Sequence, residues 1–115
     1  MIERLTGTTP TRSRAAAYKD LAFAVATSPA REPSYYEQTR GALARIDNSL
    51  RDLGTDKSRI LTAIVYIADM SRKEEMNRAW DEWVDPENPP VRACIGVTLE
   101  GNDLVEIVVT AVRDG

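Results

Sequence analysis

The sequence contains no histidine and a single cysteine, and these two shortages exclude much of the usual site chemistry. Without histidine there is no Ser-His-Asp or Cys-His relay, and the commonest ligand for transition metals is missing. The lone Cys94 cannot form an internal disulfide or a cysteine-rich zinc site, and such sparing use of cysteine fits a reducing, cytoplasmic setting. Positive charge is also short: 15 Lys and Arg stand against 18 Asp and Glu, a net charge of −3. No basic cluster offsets that balance, so nucleic acid is not an expected partner. Long apolar runs are absent, so no membrane-crossing helix is expected, and Met1–Thr11 lacks the basic start and apolar stretch of a secretory signal. The acidic residues Asp81, Glu82, Asp85 and Glu87 read as a solvated face rather than a cation site, and neither a metal nor a cofactor is expected.

What remains is an ordinary globular composition. At 115 residues and 43% hydrophobic content the chain is expected to form one domain, 1–115, with an ample core. Met1–Leu5 reads as a short edge strand and Thr6–Thr11 as a polar loop. Ala15–Tyr18 and Leu21–Thr27 flank Lys19-Asp20 and predict a β-hairpin, although their alanines favour helix. Ser34 with Glu37 three residues on predicts a helix start, Leu43, Ile46, Leu50 and Leu53 supply its apolar stripe, and Gly54 ends it. Ile60–Ile67 suits a strand covered on both faces, or a buried helical segment. Ser71 and Glu74 predict the start of a second helix, with Met76, Ala79, Trp80 and Trp83 on its apolar side. At i and i+3 these tryptophans read as core rather than as a nucleobase platform. The prolines of Asp85–Pro90 end that helix and lead into two apolar strands joined by Glu100-Gly101-Asn102-Asp103. The element order ββ-α-β-α-ββ predicts an α+β sandwich, two helices packed on one face of a mixed sheet.

Two charges interrupt that last apolar hairpin, Arg92 and Glu106. A charge within a buried strand is costly unless it is paired or used. Alternation groups Arg92, Cys94 and Gly96 on one strand face and Glu106 with Val108 on one face of the next, leaving Val91, Ala93, Ile95 and Val97 with Val105, Ile107 and Val109 as the core faces. A hairpin turning near Gly101-Asn102 pairs Arg92 with about residue 111. Glu106 then lies on the order of 16 Å along the ladder, so the two charges serve different ends of one ligand site or meet groups of a neighbouring subunit. An arginine there suits a planar carboxylate, and a partly buried glutamate can position or deprotonate a water. The plain alternative pairs Arg92 with a nearby acid and leaves Glu106 at a wet rim. Cys94 lacks a histidine base and reads as a buried or pocket-lining thiol. Asn77 either reaches the site or caps a turn.

The stretch Pro90-Val91-Arg92-Ala93-Cys94-Ile95-Gly96-Val97, followed after a turn by Val105-Glu106-Ile107, resembles the end signature of the RidA family, also called YjgF/YoaB-like and formerly endoribonuclease L-PSP. Gln38-Thr39 with Leu43, Ile46, Leu50 and Leu53-Gly54 is similar to that family's first helix, and Ile64–Met70 to its middle strand and exit. Met76–Trp83 resembles its second helix, most of all in the YoaB-like branch. The resemblance runs from about Glu37 to Val112. It implies a chorismate-mutase-like fold and a homotrimer with ligand clefts between subunits. It further implies cofactor-free hydrolysis of reactive 2-imino and 2-enamino acids to 2-keto acids and ammonia. Arg92 would then hold the substrate carboxylate, while Cys94 and Glu106 place the attacking water. The segment near the family's serine-glycine pair reads Ala24-Val25-Ala26, and Arg12 or Ser13 falls near its N-terminal tyrosine, so Val25 would line the substrate pocket together with Asn77. These departures leave three readings: a deaminase, a non-catalytic trimer that binds a small carboxylate metabolite, and a ribonuclease, which the missing histidine and the acidic balance disfavour.

Overall fold

In a computed structural model all 115 residues are described. Strands β1 (Glu3–Thr9), β2 (Arg12–Tyr18) and β3 (Leu21–Ala26) lead into helix α1 (Tyr35–Asp52); β4 (Ile60–Ile67) and α2 (Lys73–Trp83) follow, and then β5 (Val91–Gly96) and β6 (Val105–Val112). The strands form one mixed sheet in the order β1-β2-β3-β6-β4-β5, with both helices on one face. This is the α+β sandwich that the element pattern predicts, with β1 as an extra edge strand. The polar segment expected as a loop is part of it: β1 runs on to Thr9, and its Thr6 pairs with Ser13.

Local chemistry accounts for most boundaries. Tyr18 pairs with Leu21 across Lys19-Asp20, and Lys19 takes the positive φ (53°) that such a short turn requires. Ser34 caps α1 by accepting the Glu37 N–H at 3.1 Å. At the other end Gly54, at φ 83°, closes a Schellman turn, with Gly54 N–H on Arg51 O and Thr55 N–H on Leu50 O. The second helix starts differently from expectation. Asp69, not Ser71, is the cap: it accepts the Ser71 N–H at 3.0 Å and holds a 3-10 turn, Met70–Arg72, from which α2 continues. A carboxylate is the stronger acceptor, so it takes the cap position and Ser71 becomes its donor.

The core lies between sheet and helices. Leu43, Ile46 and Leu50 of α1 and Met76 of α2 pack on Val65, Ile67, Val105, Ile107 and Val109, all buried. The alanines of β2 and β3 belong to it as well. Ala15, Ala17, Ala22 and Ala24 are buried, and their small side chains let α1 lie close to this end of the sheet. Packing on a helix thus overrides the weak strand preference of alanine.

The largest departure from expectation is the last hairpin, whose two strands do not pair with each other. β5 runs parallel to β4, with Ala63 beside Arg92, while β6 runs antiparallel to β4 on its other side and to β3 beyond. A parallel pair needs a long crossover, and α2 supplies it. Residues 97–104 then carry the chain across the end of β4, held by Val97 N–H on Ile67 O and Ala68 N–H on Leu104 O. β4 is therefore covered by helices on one face only. Leu61 and Thr62 are exposed on it, and Ile64 and Tyr66 half-buried, instead of the two-sided cover expected.

Gln38 locks this crossover. It is fully buried; its amide oxygen accepts the Leu104 N–H at 2.9 Å, and its nitrogen donates to Glu32 O and Asn102 O at 2.8 and 3.1 Å. Gln38→Leu keeps the volume but strands these backbone groups, and is expected to cost about 1–3 kcal/mol in urea denaturation. Acid stability follows from three aspartates. Hydrogen bonds from Ser58, Ser71 and Asn88 hold the carboxyls of Asp56, Asp69 and Asp85 below their ordinary value of 3.8. A lowered native value means their contribution is complete above about pH 4 and lost as pH falls through the lowered value. Unfolding followed from pH 6 to pH 2 is expected to show that loss, and Asp69→Asn to make it shallower.

Candidate functional site

The elements carrying the two odd charges do not present them to one another. β5 is an edge strand, and its Arg92 and Cys94 stand beside the buried Ala63 and Val65 of β4, on the helix side of the sheet. Glu106 of β6 stands beside Tyr66, on the open side, since its neighbours Val105 and Ile107 are the buried ones. The expected common face for Arg92, Cys94, Gly96 and Glu106 is therefore corrected, and so is the pairing of Arg92 with residue 111. Three residues of register and two strand spacings separate Arg92 from Glu106, roughly 14 Å between backbones, with the sheet between their side chains. The reason is topological: inserting β4 between β5 and β6 removes the hairpin from which the common face was read.

 Val91, Ala93, Ile95 and Val97, expected in the core, are all exposed; Val91 is 74% accessible and Ile95 43%.

Arg92 is half-buried, and its surroundings are apolar. Its guanidinium carbon lies 5.2 Å from the centre of the Trp80 ring, and Nη1 is 3.8 Å from the Met76 sulfur. No carboxylate pairs with it: the six salt bridges of the chain involve Arg14, Arg31, Arg40, Arg59, Arg72 and Arg113. The plain alternative of an Arg92 ion pair is thus overturned within the chain, and most of the guanidinium N–H donors remain free for a planar anion. Cys94, a free thiol, is half-buried on the same side of β5, two residues on, at the margin of the core. Asn77 follows Met76 on α2 and donates to Glu74 Oε1 of its own helix at 3.3 Å, a turn contact rather than one to Arg92.

The other half lies across the sheet. Glu106 is half-buried and engages no side chain in a hydrogen bond or ion pair. Val25 pairs with Val108, which makes Val25 a diagonal neighbour of Glu106 on the open face. Around them the open face is apolar: Tyr18, Phe23, Leu61 and Ile95 are each 43–47% exposed, and Ile64 and Tyr66 lie between. The chain by itself therefore holds two separate groups of candidate residues, Arg92 with Cys94 on the helix side and Glu106 with Val25 on the open side, and Asn77 is joined to neither by a hydrogen bond. Sequence reasoning missed Met76 and Trp80 as the cradle of Arg92. Their i, i+4 spacing marks one helix face, but only the parallel β4-α2-β5 unit brings that face over Arg92.

The comparisons agree with this architecture. The family model described as Endoribonuclease L-PSP matches residues 14–113. A RutC family protein of Haemophilus ducreyi is 48% identical over 101 residues, 86% of each chain. The RutC family protein YoaB of Escherichia coli is 43% identical over 64 residues, 56% of each chain. The crystal structure of a YjgF family member from Neisseria meningitidis superposes with a TM-score of 0.93 at 36% identity, covering 100% of this chain and 97% of that one. With a family model spanning nearly the whole chain and a relative this similar over most of its length, the protein belongs to the RidA family, the YjgF/YoaB-like proteins formerly called endoribonuclease L-PSP.

Proposed function

We propose that this chain is an enamine/imine deaminase of the RidA type, which hydrolyses reactive 2-imino and 2-enamino acids to 2-keto acids and ammonia. The observation that carries the reading is Arg92, a half-buried guanidinium with an aromatic and a thioether beside it and no acid to occupy it. Such a group binds a carboxylate with two parallel hydrogen bonds. Water then adds to the C=N carbon of the bound imino acid. Glu106 takes a proton from that water as it attacks, and the proton passes to the nitrogen. The carbinolamine collapses, the C–N bond breaks, ammonia leaves and the keto acid remains. Cys94 lines the cleft and helps to place the water. Every atom comes from substrate and water, so no cofactor is needed.

The two half-sites lie on opposite sides of one sheet, so the reading requires Arg92 of one subunit and Glu106 of another. A homotrimer meets that requirement, because a heterologous ring brings two different surfaces together at each contact. The apolar open face supports it: contiguous exposed apolar surface on a sheet marks an interaction site. A second reading, a non-catalytic trimer that binds a small carboxylate metabolite, is favoured by one observation. Val25 stands diagonally from Glu106, where the active relatives' serine-glycine would offer polar contacts.

A coupled assay on freshly generated 2-iminobutanoate separates the two readings. Acceleration over buffer is expected, falling at least about 100-fold in Arg92→Ala; binding of 2-oxobutanoate without turnover would favour the second. Glu106→Gln is expected to lower kcat about 10² to 10⁴-fold with KM nearly kept, as loss of a general base does. Phe23→Asp, on the open face, is expected to convert trimers to monomers in analytical ultracentrifugation while the monomer stays folded. Trimers that survive it would remove this face from the interface.

A further inference from the structure

We infer that Trp80 is the positioning residue for Arg92: its indole face holds the guanidinium in place without using any of the donors that a carboxylate needs. The inference rests on the carboxylate-binding reading of Arg92 and deepens it. An arginine poised for an anion faces a conflict. A carboxylate neighbour would fix its position but would occupy its N–H groups and neutralise its charge. An aromatic face attracts the cation through the ring quadrupole and leaves the N–H edge free.

The geometry has that form. The Arg92 guanidinium carbon is 5.2 Å from the Trp80 ring centre, and the Met76 sulfur, one helical turn before Trp80, meets Nη1 at 3.8 Å. Trp80 is itself held firmly. It is 6% exposed, and its ring lies 5.3 Å from that of Trp83, tilted by 53°. Trp83 is fixed in turn from α1, its indole N–H donating to Asp47 Oδ2 at 2.9 Å, while Lys57 donates to its backbone oxygen at 2.6 Å. The chain of contacts from Asp47 through Trp83 and Trp80 to Arg92 runs from one helix, through the other, to the edge strand. It places a rigid aromatic surface under the one guanidinium that the mechanism uses.

The sequence contains two tryptophans, so Trp83→Phe leaves Trp80 as the sole one; it keeps an aromatic ring beside Trp80 but gives up the hydrogen bond to Asp47, so the Trp83→Phe protein is the reference for the series. In that background Trp80 is replaced biosynthetically by tryptophans bearing one, two and three ring fluorines, which keep the shape and weaken the quadrupole. Calorimetry with 2-oxobutanoate reads the outcome. The Kd is expected to rise stepwise with fluorine number, by about three- to ten-fold over the series, while thermal stability changes little. Trp80→Phe is expected to bind within about three-fold of the parent, and Trp80→Leu about ten-fold more weakly. A Kd independent of fluorination in folded protein would overturn the positioning role and leave Trp80 as core alone. Arg92→Ala that still binds 2-oxobutanoate normally would instead overturn the underlying carboxylate reading, so the two failures are distinct.

Discussion

The central position of β6 is the constraint on which the rest of the structure depends. It pairs with β3 on one side and β4 on the other, and its buried Val105, Ile107, Val109 and Ala111 carry the middle of the core. Without it, the N-terminal strands and the β4-α2-β5 unit would be two separate pieces of sheet. Its arrival also separates the candidate residues. Entering between β3 and β4, it sends Glu106 to the open face, and it leaves β5 at the edge with Arg92 under α2. Gln38 holds the start of this strand by accepting the Leu104 N–H, so a buried amide on α1 sets the point at which β6 begins.

The two faces of the sheet have different tasks. The helix side is closed by long aliphatic side chains where α1 and α2 lie, and by alanines where α1 approaches β2 and β3. The open side carries apolar residues that no element of the chain covers, together with Glu106 and the threonines Thr62 and Thr110. That asymmetry is costly for a protein alone in water and natural for one that assembles through its sheet. It is also why the proposed chemistry belongs to an assembly: the groups that would hold the substrate and place the water are each present in one chain, but on opposite sides of a sheet.

The environment of Arg92 shows how a charge can be kept ready. Burial alone would penalise it, and an acid would neutralise it. An indole and a thioether give it contacts that leave most of its donors open. Asp47, Trp83 and Trp80 form the support, and none of them would touch the substrate carboxylate.

Much of the fold was legible in the sequence, because it rests on local rules. The capping serine of α1, the glycine at its end, the two-residue hairpin at Lys19-Asp20 and the apolar stripe of Leu43, Ile46 and Leu50 each depend on neighbours within a few residues. The candidate residues Arg92 and Glu106 were legible too, as charges in apolar strands. Their mutual placement was not. Adjacent strands in sequence suggest a hairpin, and only the packing of α2 as a crossover makes β5 parallel to β4 and sends β6 to the other side. The alternation of each strand was correct in itself, but which face met the helices depended on partners far along the chain. The sequence by itself determined the elements, the family and the two charges, because these follow from short-range pattern and residue type. Only the tertiary structure decided that the charges face apart and that Trp80 lies beneath Arg92, because strand order and helix docking are set by long-range burial.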